Sequence, residues 1–173
     1  MIHSHQWSQP PALGTAVPAS QSLIENLTNE LSTRKHLYGA NHPCVAESLN
    51  SIALVHHHML NNSQQALMYH LQALDILISA YQIDMKDLDT ERLSLCLAVT
   101  MSDVGNTHWA LGDFYKAEAN FIDALSLLRR ENFSEAHPRA YSMRNRLFTL
   151  YRHTGITHTE EEPPRFGTYK WQQ

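Results

Sequence analysis

Charge is scarce in this chain. Only 17% of its residues are Asp, Glu, Lys or Arg, against roughly 25% in an average globular domain. Neutral polar side chains and 12 His fill the gap, and the formal net charge is −4. The basic footprint that nucleic acid requires is missing, so the sequence argues against nucleic-acid binding. Cysteine is scarcer still. Cys44 and Cys96 make no disulfide framework and no Cys-x-x-Cys motif, which predicts two reduced, mostly buried thiols in a cytosol-like compartment. No apolar run approaches the roughly 18 residues needed to cross a membrane. The first positive side chain is Arg34, too late for the charged start of a signal or transit peptide. These absences predict a soluble cytoplasmic protein with no membrane insertion. Alternation of strand period is also missing, so the expected class is all-α.

What is present is helical periodicity. Residues 1–19 carry Pro10, Pro11, Pro18 and Gly14 without a period and read as a disordered or extended arm, in which Trp7 is the odd residue. Ser20 or Ser22 can cap a first helix, with Glu25 placed to reach back to Ser22, and Leu23, Leu27 and Leu31 form its apolar stripe. Pro43 suits the first turn of a second helix ending near Met59. Ser63 is the expected cap of a third, over about 64–82. A fourth helix is expected over Leu93–Leu111, a fifth from Phe114 to about Glu131 and a sixth from Pro138 to about His153, closed by Gly155. The boundary within 83–90 is the hardest to place, because those residues are acidic and hold no strong breaker.

Two of these helices share one frame. Ala66-x3-His70-x2-Ala73-Leu74 returns as Ala117-x3-Phe121-x2-Ala124-Leu125, just after the turn at Gly112-Asp113. His42-Pro43, Asn50 and Ile52 return at one constant offset as His137-Pro138, Asn145 and Leu147. Such internal repetition decides architecture before any single residue does.

The run Gly112-Asp113-Phe114, Ala117, Phe121 and Ala124, preceded by Val104-Gly105-Asn106, resembles the tetratricopeptide repeat. The first copy, from His42-Pro43 through Val45-Ala46 and Ser48-Leu49-Asn50, is similar to the longer repeat of the kinesin light chain type. Two departures stand out. Ile52 to Val104 is a longer interval than Val104 to Leu147, and both exceed the roughly 34 residues of an ordinary repeat. An insertion near 80–92 is therefore expected. The first copy also has Leu60-Asn61-Asn62 where the second has its turn glycine. The resemblance implies a right-handed α-solenoid of antiparallel helix pairs, about six helices over 20–153: a leading helix, two full pairs and a trailing helix.

It also implies which positions line the concave side. They are Glu47, Asn50, Ser51, Leu54, His57 and His58 in the first copy, and Val99, Ser102, Asp103, Asn106 and Trp109 in the second. Ser142, Asn145, Arg146, Thr149 and Arg152 follow in the third. An Asn side chain offers a donor pair and an acceptor, so Asn50, Asn106 and Asn145 together could grip the backbone of an extended peptide. Arg146 and Arg152 at one end oppose Glu47 and Asp103 in sign. This mixture does not resemble the all-basic carboxylate clamp of chaperone-binding members. Against the binding reading stands the plainer one, that these are solvated faces.

Catalytic and metal chemistry find no footing. His56-His57-His58 are consecutive, and helical neighbours point about 100° apart, so they cannot converge on one ion. The i,i+4 pair of a metal-binding helix is absent. His70 occupies the family's core aromatic position and is expected to be packed. Met1-Ile2-His3 could hold Cu(II) or Ni(II) at a free amino terminus, an incidental property of many chains. Cys44 beside His42 has no third group to orient a nucleophile. The expectation is a non-enzymatic chain without cofactor or metal.

The tail 154–173 is expected to be extended. It holds three acids, then Pro163-Pro164, and then Phe166, Tyr169 and Trp171 with Arg165 and Lys170. Aromatics and Arg are what interface anchors are made of. The tail could dock on a partner or fold back over the trailing helix, which keeps Leu147, Phe148 and Leu150 among four Arg. The sequence thus predicts an adaptor that binds an extended protein segment in a groove. The alternative is a structural subunit of a larger complex, its groove filled by its own arms. Self-association through the helix ends is open to either.

Overall fold

The computed structural model describes residues 19–83 and 89–155. Among them are six helices and no strand: α1 (Ala19–Tyr38), α2 (Pro43–His58), α3 (Ser63–Gln82), α4 (Thr90–Ala110), α5 (Phe114–Arg130) and α6 (Pro138–Thr154). Each helix packs on the next in sequence, and α4 additionally touches both α2 and α6. This pattern is a solenoid in which α2, α4 and α6 form one row and α1, α3 and α5 the other. The arm, most of the aromatic tail and the centre of the expected insertion lie outside the described residues. No described helix is long and apolar enough to cross a membrane.

Local chemistry sets the ends of these helices. In both His-Pro turns the proline opens the helix, and the imidazole Nδ1 accepts a backbone N–H. Cys44 donates to His42 at 3.2 Å and Arg139 to His137 at 3.3 Å. An aromatic ring from the preceding segment seats each cap: Tyr38 stacks on His42 and Phe133 meets His137 edge-on. The expected caps of the first and third helices are displaced. α1 already runs through Ser20 and Ser22, so neither stands at its N-cap. In α3 the cap is Asn62, whose Oδ1 accepts from Gln65 N at 3.0 Å, with Ser63 the first helical residue. The turn that lacks glycine is solved by Asn61 at φ +50°, where the second copy uses Gly112 at φ +81°. Asn tolerates the left-handed region better than other side chains, so the pair still closes.

The core is a strip, as stacked pairs require. One cluster runs from Leu31 through Val45, Leu49, Ile52, Leu77 and Leu97 to Leu128 and Met143. A smaller one joins Ala117, Phe121 and Leu150, with Trp109, Phe114 and Leu147 against it. α4 and α5 approach closely at Gly105, where a Cβ would stand 2.9 Å from the Phe121 ring and 3.1 Å from the Ala117 carbonyl. Nothing larger than hydrogen fits there without movement. The two cysteines are half-buried, less than the sequence suggests, and both are free thiols. Burial pushes the Cys96 thiol up, away from reactivity.

Candidate functional site

The row α2, α4 and α6 carries every position expected to face inward, but the three helices present them differently. On α2, most of the polar groups are tied up within the chain. Thr100 has one hydroxyl proton and gives it to the Cys96 carbonyl at 2.9 Å. It therefore accepts from Asn50 Nδ2 at 2.7 Å. That fixes the amide orientation, so Asn50 Oδ1 accepts from His70 Nδ1–H at 2.9 Å. The result is a directed chain from α3 through α2 to α4. Asn50 is thus a structural tie, and not an exposed amide awaiting a peptide.

His70 is fully buried in this chain, at the position where Phe121 sits in the second copy. Burial lowers its pKa to about 4, and His57 and His58 add to the effect. The ring is neutral at ordinary pH, as the hydrogen-bond logic also demands.

Glu47 is also engaged. Arg92 of α4 reaches it at 2.8 Å and Arg34 of α1 at 3.3 Å, while Arg34 also donates to the Cys44 carbonyl. Ser51 gives its hydroxyl proton to the Glu47 carbonyl. His57 is paired with the Ser63 hydroxyl at 3.3 Å and lies edge-on to His58, and His56 stacks on Tyr69. His56 thus parts from the other two, whose ring centroids lie 4.7 Å apart. Among the described residues no group of three or more His, Cys, Asp or Glu could hold a metal ion. Leu54 remains exposed.

The other end of the row is open. Trp109 of α4 and Tyr141, Ser142, Asn145, Arg146 and Thr149 of α6 line a cleft of about 410 Å³. Five of these were expected to face inward. Tyr141 was not, although its place beside Ser142 on one helix was a usable signal. The apolar floor is Trp109, half-buried against the Phe121 cluster with His153 tilted over it. Arg146 is held rigidly across the row: its Nη1 donates to Ser102 Oγ at 2.8 Å and to Asp103 Oδ1 at 3.2 Å. Burial raises the pKa of Asp103, and Arg146 opposes the shift. Asp103 also opposes the burial-driven lowering of His57, so the two side chains are neighbours along the inner row.

Asn145 is exposed, and its side chain makes no hydrogen bond among the described residues. Asn106 is half-buried and does not line the cleft. Of the three amides, Asn145 lines this cleft, whereas Asn50 is hydrogen-bonded to Thr100 and His70. Arg152 is exposed and lies over the Phe148 ring at 5.9 Å. Val99 is half-buried against the main cluster. Phe166, Tyr169 and Trp171 lie outside the described residues.

No curated protein matches the chain. Two family models do, both of the tetratricopeptide repeat, one over residues 23–79 and the other over 97–139. Neither match distinguishes the kinesin light chain type. Together they cover more than half of the sequence and fall on α1–α3 and on α4 to the start of α6. With the helix order and the Gly105–Phe121 contact, they establish that the chain belongs to the tetratricopeptide repeat family.

Proposed function

We propose that this chain is a protein-interaction module that takes an extended polypeptide segment in the cleft between α4 and α6. Tetratricopeptide repeats are in general protein–protein interaction modules, and the cleft is where this chain leaves polar groups unused. The observation that carries the reading is the contrast within the row: the α2 amide is committed internally, while Asn145 stands exposed beside an apolar floor. An exposed carboxamide can donate to a carbonyl and accept from an N–H of an added backbone. Trp109 and Tyr141 supply the contact area on which hot spots are built. Arg146 uses one guanidinium nitrogen on Ser102 and Asp103. Its remaining donors are held in place for a carbonyl or carboxylate of the bound segment. The kinesin light chain-like character of the first copy, an adaptor role and a cytoplasmic site belong to the same proposal.

The test is affinity capture with the intact chain, its Asn145→Ala/Trp109→Ala variant and a Met68→Ala control on the exposed outer wall, with partners identified by mass. Partners that the control captures and the cleft variant loses support the proposal. Capture unchanged by the cleft variant, with its helicity intact, rejects the cleft as the docking site. It would favour the alternative, a structural subunit of a larger complex.

A further inference from the structure

The two outer helices α3 and α5 differ at the centre of their shared frame. α5 puts Phe121 there and α3 puts His70, and both are 0% exposed. The inner helices accommodate each ring. Ala46 and Ala53 of α2 correspond to Ala98 and Gly105 of α4, and to the exposed Tyr141 and Phe148 of α6. Gly105 leaves the Phe121 ring its space. The same register sets Ala53, with its extra methyl group, opposite the smaller imidazole. One copy is thus centred on a ring that never carries charge, the other on a ring of the type that takes up a proton in mild acid.

His70 has company. Its Nδ1 is committed to Asn50 of α2, and its Nε2 is buried with no hydrogen-bond partner among the described residues. A proton added at Nε2 makes a buried charge and an unmatched donor at once. From α2, His57 and His58 face it with ring centroids 4.7 Å apart, and both act against a charge on His70. From α4 comes Asp103, which acts on His57 and His58 and is itself offset by Arg146 and Arg139 of α6. The carboxylate of this group is therefore shared among four cationic or protonatable side chains.

The consequence of acid is confined to one seam. The hydrogen-bond chain His70–Asn50–Thr100 ties α3 to α2 and α2 to α4, and it is lost if the His70 ring leaves. In a solenoid each unit is held by its neighbours, so one can open while the next stays closed. The second unit keeps a cluster of its own, Ala117, Phe121 and Leu150 with Trp109, Phe114 and Leu147, and none of these side chains titrates.

We propose that the first copy is an acid-operated seam: protonation of His70 drives its ring out of the packed interior and parts α2 and α3 from α4, while α4, α5 and α6 stay together. The inference goes beyond the peptide-binding reading and needs no ligand in the α4–α6 cleft.

The test is amide hydrogen exchange of the full chain at about pH 7 and about pH 5, each rate divided by that of an unstructured chain at the same pH. The ring takes its proton near 6.5 when released and about 4 when packed, so protection in α2 and α3 is expected to fall about 30-fold relative to α5. Two variants remove the titrating group: His70→Gln, which keeps a donor for Asn50, and His70→Phe/Ala53→Gly, which gives the first copy the pair of the second. Either one, if folded, should flatten the fall. An equal fall in every helix overturns the proposal, because acid would then unfold the chain as one unit. So does protection in α2 and α3 that ignores pH, or a fall that both variants keep, which would assign the titration to another group.

Discussion

Asn50 and Asn145 hold the same place in their repeats, one on α2 and the other on α6. Asn50 is joined to Thr100 and His70 and is largely enclosed by its neighbours. Asn145 lines an open cleft with its amide exposed. The difference does not lie in the residue or its immediate spacing, which are the same. It lies in what packs on either side: among the described residues, α2 has α1, α3 and α4 around it, whereas α6 meets α5 and α4. A repeat frame decides where a side chain sits, and its neighbours decide whether it is available.

The largest effect that separates the two ends should come from bulk. Ala53→Phe puts on α2 the ring that α6 carries at Phe148. Overpacking at a fully buried position should cost about 3 kcal/mol or fail to fold, as read by urea unfolding. A small loss would mean that α2 and α3 are less closely packed than described.

Acid should come next. Unfolded, His70 takes up its proton near pH 6.5, whereas in the folded chain it resists until about 4. Both states are neutral above that window. As the pH falls from 6.5 towards 4 the unfolded state binds the extra proton, so stability is lost, by about 3 kcal/mol at the lower end. A His70→Gln variant should show a shallower fall in melting temperature over this range. Parallel curves for parent and variant would mean that His70 does not titrate this way.

Asn50→Ala should follow at about 1–3 kcal/mol, because it leaves a buried imidazole N–H without its acceptor. Asn145→Ala is the smallest, within about 0.5 kcal/mol, as expected of an exposed residue. Equal losses in thermal unfolding of these two variants would erase the contrast between the ends of the row.

Much of the fold was legible in the sequence. Pro43 and Pro138 marked helix starts, Gly112 and Gly155 marked turns, and the Ala-x3-aromatic-x2-Ala frame identified the outer helices. Each of these is a local signal. The role of Asn50 was not legible, because its partners are distant in sequence and meet only when α2, α3 and α4 are in register. The same holds for Glu47 with Arg92 and for Arg146 with Ser102. The shift of the third helix cap from Ser63 to Asn62 reflects two adjacent capable side chains, between which one residue of backbone geometry chooses. The open face of α6 was readable in principle, since laying Tyr141 and Phe148 beside Ala46 and Ala53 exposes the substitution of large for small.

The contact between Gly105 and Phe121 constrains how this protein can change. A methyl group added at position 105 collides with the ring, and a smaller side chain at 121 alone leaves a void. Phe121→Leu relieves the ring contact but leaves an added Cβ 3.1 Å from the Ala117 carbonyl. Position 105 is therefore held to glycine from two sides, by a side chain that can be exchanged and by backbone that cannot.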